Sequence, residues 1–153
     1  MSKCTTTDIK KLRIKTGARI MDCKKALEDA NGDFNKAKDL VAKKGLARAK
    51  EKASRETKAG IIAHYMHNNS QVAAMVEILC ETDFVAQNKE FKQLAQNIAM
   101  QVVAMNPRNI SELLKQEFVR ETSNTIDDLL QALSGKIGEK MEIKRFVRYR
   151  VGE

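Results

Sequence analysis

Residues 60–79 read GIIAHYMHNNSQVAAMVEIL, and the fold class turns on how they are read. Asn68 and Asn69 sit between two apolar runs, the composition of a short hairpin connection. In the second run Val72, Ala74, Val76 and Ile78 fall on one side of a strand, and Ala73, Met75, Glu77 and Leu79 on the other. A period of two demands two strands here, and two strands alone cannot bury a core. The rest of the chain has to cover them.

Downstream, KEFKQLAQNIAMQVVAM supplies a cover. Phe91, Leu94, Ala95, Ile98, Ala99 and Val102 recur at i, i+3 and i+4, one face of an amphipathic helix. Pro107, the only proline, closes it. SELLKQEFVRE and IDDLLQALS read as two further short helices. MEIKRFVRYRV alternates again, with Met141, Ile143, Val147 and Val151 on one side. It is expected to be a last strand beside the hairpin. Helices laid on a small antiparallel sheet make residues 58–153 an α+β core domain.

Upstream the period is helical throughout. Residues 7–16 form a first helix, capped by Thr7 or Asp8 and stopped at Gly17. A second fits 18–30, with Ile20, Cys23, Leu27 and Ala30 on one stripe. Asn31-Gly32-Asp33 stops it and starts a third near Phe34 that buries Ala37, Leu40 and Val41. Residues 1–45 are thus expected to form a small three-helix bundle that Gly45 punctuates. Residues 46–57 carry many charges and read as a linker or solvent-bridging helix.

Charge divides at the same place. Residues 1–55 hold sixteen Lys and Arg against seven acids, and residues 56–153 hold twelve against thirteen. The whole chain of 153 residues is at +8. A basic bundle favours an acidic partner, protein or nucleic acid. Its Lys and Arg alternate with acids, and Phe34 is its only aromatic, so base stacking has almost no platform. Nucleic-acid binding through this bundle is the weaker of the two readings, and no direct nucleic-acid partner is expected.

Catalytic chemistry finds no foothold. His64 and His67 form HxxH, but positions i and i+3 of a strand point to opposite faces, so no metal is expected. Cys4, Cys23 and Cys80 are odd in number, widely spaced and without CxxC, which argues against a disulfide framework and for a reducing compartment. No base or oxyanion group marks Cys80 as a nucleophile. There is no phosphate-binding glycine motif and no cofactor signal. No apolar run approaches the length of a membrane span. The start, MSKCTTTDIKK, lacks a signal core, so the chain is expected to work where it is made: bacterial cytoplasm, or the interior of an organelle that encodes it.

One loop is unusual. CETDFVAQN, residues 80–88, should be exposed, yet it places an acid beside one of only five Phe in the chain. Together with residues 12–45, LRIKTGARIMDCKKALEDANGDFNKAKDLVAKKG, it resembles the elongation factor Ts family. The hallmarks of that family are LRxxTGAGxMDCKKAL followed by NGD, and a TDFVA segment. GIIAHYMH and GEKMEIKRFVRY are similar to its strands, so the resemblance covers nearly the whole chain.

The resemblance implies a ubiquitin-associated-like N-terminal bundle that docks on the GTPase elongation factor Tu. It implies guanine-nucleotide exchange, GDP leaving that partner and GTP entering, without bond chemistry. Thr82, Asp83, Phe84 and Val85 stand where the family reaches toward the partner's Mg²⁺ and nucleotide, the aromatic as a wedge and the acid against the metal's environment. Arg13, Ile20 and Met21 match bundle residues that touch the partner. Ile20 replaces a usual Met, and Arg19 a usual Gly. Long members of the family contain two core halves and short ones pair two chains. This chain carries one half, with residues 106–140 shorter than in the short members; the single half and the apolar last strand lead to the expectation of a monomer–dimer equilibrium.

Overall fold

The computed structural model describes residues 4–153. Three helices open the chain: α1 (Thr6–Thr16), α2 (Ile20–Asp29) and α3 (Phe34–Glu51). Thr5 caps α1 in a reciprocal box with Asp8, two residues ahead of the expected Thr7, and Gly17 ends it at φ +65°. Asp33 caps α3 by accepting the N–H groups of Asn35 and Lys36. Leu12, Cys23, Ala26, Leu27, Ala37 and Val41 form the bundle's core. The Arg48 guanidinium donates to both Asp22 oxygens, at 2.6 and 2.9 Å, and locks α3 to α2. These bonds hold the Asp22 carboxyl below its ordinary range.

The core domain is mixed α+β. Strands β1 (Ala59–Met66), β2 (Val72–Cys80) and β5 (Met141–Arg150) make an antiparallel sheet with β2 in the centre. Helix α5 (Lys89–Met105) lies across it and buries Phe91, Leu94, Ala95, Ile98, Ala99 and Val102 against Ala74, Val76, Ile78 and Cys80. A one-turn helix, α4 (Asp83–Ala86), joins β2 to α5. Beyond α5 come α6 (Ile110–Lys115), a hairpin of β3 (Glu117–Phe118) and β4 (Glu121–Thr125), and α7 (Ile126–Ile137). Among the described residues no helix is long and apolar enough to cross a membrane.

Three local expectations need correction. First, α3 does not stop at Gly45. It runs on to Glu51, because its second half packs on α7 where two glycines meet. A Cβ on Gly135 would stand 2.7 Å from the Gly45 carbonyl oxygen, whereas a Cβ on Gly45 would meet nothing within 4 Å. The two substitutions therefore have opposite expected outcomes in thermal denaturation. Gly135→Val should cost about 1–3 kcal/mol by forcing the helices apart. Gly45→Ala should be neutral, or stabilising by roughly 0.5–1 kcal/mol.

Second, SELLKQEFVRE is helical only to Lys115. The buried Gln101 of α5 donates to the Glu117 carbonyl at 3.0 Å and accepts the Val119 N–H at 3.0 Å. These bonds satisfy backbone groups that leave the helix, and the chain turns into the β3–β4 hairpin instead.

Third, β5 does not keep one face. Glu77 faces Arg145 while the next residue, Ile78, faces Ile143, so Lys144 is an extra residue. Such a bulge inverts the alternation beyond it. Met141 and Ile143 are buried, but past the bulge Phe146 packs on the core and Val147 turns outward. Val151 lies exposed beyond the strand's end.

Candidate functional site

Thr82 decides how the 80–88 segment is presented. Its extended backbone makes it the N-cap of α4, and its hydroxyl accepts the Val85 N–H at 3.4 Å. The four-residue turn that follows has two sides. Val85 and Ala86 point into the core, and Phe84 points away, 92% exposed. Asp83 is exposed beside it. The segment read as a loop is thus a capped helical turn, with its aromatic on the solvent side.

The turn is anchored from the far end of the chain. Gly138, at φ +95°, ends α7 and hands over to Glu139 and Lys140. One Glu139 carboxylate oxygen accepts the N–H groups of Glu81 and Thr82 at 3.1 and 3.0 Å. The other accepts the Thr82 hydroxyl at 2.6 Å. In return, the Glu81 carboxylate accepts the Lys140 N–H at 2.6 Å and a 3.3 Å bond from Arg55. That backbone bond, helped by the Arg55 guanidinium, keeps the Glu81 carboxyl below its ordinary range. Beneath the turn, Cys80 donates its thiol to the Thr82 carbonyl at 3.2 Å. Burial, reinforced by the Glu139 charge, raises that thiol to about 11, so it stays protonated and is no nucleophile at neutral pH.

The other expected residues lie on the bundle. Arg13 is exposed near the end of α1, and Ile20 and Met21 are exposed, 52% and 69%, at the start of α2. They do not join Phe84 in one pocket. The two regions are linked through the Gly138 turn. Arg19, just ahead of α2, extends its guanidinium to within 3.3 Å of the place a Gly138 Cβ would occupy. Its backbone is at φ −65°, so the position makes no demand for glycine. The Lys136 side chain lies against Gly17 and pairs with Glu90 at 2.7 Å. Sequence reasoning missed Glu81, Glu139 and Arg55. Only the similarity of GEKMEIKRFVRY to a known strand pointed near Glu139, and nothing local joined it to Thr82.

This arrangement has exposed apolar and charged tips on rigid supports. Among the described residues no group of His, Cys, Asp or Glu could hold a metal ion. Exposed tips of this kind are suited to contact with another macromolecule.

Residues 81–153 match the family described as Elongation factor TS. Elongation factor Ts of Thermodesulfovibrio yellowstonii is 40% identical over 193 aligned positions, covering 97% of this chain and 96% of the relative. That of Thermotoga maritima is 40% identical over 188, covering 95% and 94%. Both alignments are longer than this chain of 153 residues, so they open gaps within it. Elongation factor Ts of Aquifex aeolicus is 44% identical over 147 positions, covering 93% of this chain and 51% of the relative.

Proposed function

The chain belongs to the elongation factor Ts family, and from that premise we propose that it is a guanine-nucleotide exchange factor for elongation factor Tu, with Phe84 as the exchange element. One observation carries the assignment of Phe84. A large aromatic is almost wholly exposed on a helical turn whose cap and backbone are held by hydrogen bonds. An exposed aromatic contributes little to its own fold and is well suited to anchor an interface.

In this reading Phe84 wedges between partner helices near the bound nucleotide, and Asp83 disturbs the environment of the partner's Mg²⁺. That ion links the phosphates to the GTPase, so disturbing it loosens the nucleotide. Thr82 fixes the turn, and Val85 seats it in the core. Arg13, Ile20 and Met21 form a second contact, on the GTPase domain. Exchange needs no bond chemistry. Factor and nucleotide weaken each other's hold on the same partner, and that weakening is reciprocal.

The test is release of fluorescent GDP from elongation factor Tu, followed across factor concentrations. Acceleration that saturates with factor supports the reading. Unchanged release together with salt-sensitive RNA binding would replace it with a nucleic-acid role for the basic bundle.

We further propose a homodimer through the sheet face that α5 leaves uncovered. Ile62, Met75, Val147 and Tyr149 are exposed there, beside the Glu77–Arg145 ion pair. An antiparallel sheet face of this kind can meet its own copy about a two-fold axis. Mass measurement in solution is expected to find a dimer at high concentration. Monomer alone, both free and with the partner, would overturn it.

A further inference from the structure

We propose that Glu139 is a positioning residue for exchange, holding the Phe84 turn in the orientation that the partner accepts. The inference rests on the exchange reading above and goes beyond it. Every residue of that reading touches the partner or lies in the turn itself, whereas Glu139 acts from 57 residues away in sequence.

The geometry argues for a dedicated support. The Glu139 carboxylate accepts three hydrogen bonds, and all come from Glu81 and Thr82, the two residues just ahead of α4. Two backbone N–H groups and one hydroxyl fix the position and rotation of the chain as it enters the turn. Thr82 in turn caps the helix through Val85, and the direction of Phe84 follows from the first residues of that helix.

Glu139 is itself held in place. Its carbonyl accepts the hydroxyl of the buried Ser134 at 2.6 Å, and Gly138 before it donates to the Ser134 carbonyl at 2.8 Å. The Glu81–Lys140 bond closes the clasp from the other strand. A four-residue helix on the surface is too short to keep its shape unaided. Without the clasp Phe84 would sample several directions, only a fraction of them competent.

When only a fraction of molecules is competent, apparent efficiency falls by that fraction. Glu139→Ala is therefore expected to lower the efficiency of stimulated GDP release about tenfold. Efficiency here means the limiting rate over the half-saturating factor concentration. Glu139→Gln keeps the length. Its amide oxygen can accept both N–H groups, and its nitrogen can donate to the Thr82 oxygen, so it should retain efficiency within about threefold.

The decisive readout is a double-mutant cycle with Phe84→Ala. If Glu139 acts through Phe84, adding Glu139→Ala to Phe84→Ala produces no further loss. A general structural role would cost the same factor in both backgrounds. Should Glu139→Ala fold poorly, Glu139→Asp, with its carboxylate withdrawn by one methylene, takes its place in the cycle.

The proposal is overturned by full efficiency in Glu139→Ala or by additive losses in the cycle. In either case a large effect of Phe84→Ala alone leaves the exchange reading standing. If Phe84→Ala has no effect, the Phe84 assignment fails and the positioning role fails with it.

Discussion

Phe84→Ala is expected to reduce stimulated GDP release about thirtyfold or more and to leave thermal unfolding unchanged. The two halves of this result have separate causes. Phe84 is 92% exposed, so truncating it removes almost no area that folding has buried. The loss of function follows from what an aromatic anchor contributes in an interface, roughly 2–4 kcal/mol, at about 1.4 kcal/mol for each factor of ten. The measurement is melting temperature and GDP release on the same preparation. A variant that melts early yet keeps full activity per folded molecule would refute the anchor assignment.

Phe91→Ala is expected to do the reverse. Phe91 lies seven residues further on, in the first turn of α5, and is fully buried in the core beneath the sheet. Removing its ring leaves a cavity in a packed interior, which costs about 3–5 kcal/mol. In a protein of this size that lowers the melting temperature by roughly 10 °C or more. The Glu139 clasp and the Thr82 cap do not involve the ring, so activity per folded molecule should persist. Chevron or equilibrium denaturation gives the stability, and release normalised to folded protein gives the activity. Wild-type stability in Phe91→Ala would mean that α5 does not pack as described. Together the two phenylalanines separate fold from function within one short stretch.

Much of the fold was legible in the sequence because its causes are local. The apolar stripe of α5 is contained in residues 91–102, and a period of 3.6 there leaves one helix face to bury. Val72, Ala74, Val76 and Ile78 alternate within a single strand, so their shared face follows from the geometry of the extended chain. Gly17 and Asp33 cap helices through groups at most four residues away. The oddity of Phe84 was legible too, since an aromatic beside an acid between two patterned segments has little to gain from the core.

What the sequence did not reveal depends on partners far along the chain. Whether Gly45 ended α3 rested on Gly135, whose missing side chain lets α7 come close enough to make a continuous helix worth packing. The end of α6 rested on the buried amide of Gln101, which offers the backbone of Glu117 and Val119 better bonds than a further helical turn. The outward turn of Val147 came from the bulge at Lys144, which exists only in the register of β5 against β2.

The same division runs through the site. By itself the sequence determined that Thr82, Asp83, Phe84 and Val85 lie in a short exposed connection between a strand and a helix, because the periodicities on either side act within a few residues. Only the tertiary structure decided which way that element faces. Glu139 reaches Thr82 across 57 residues of chain, and three hydrogen bonds that close so long a loop follow from how α7 and the sheet pack, which no local pattern encodes.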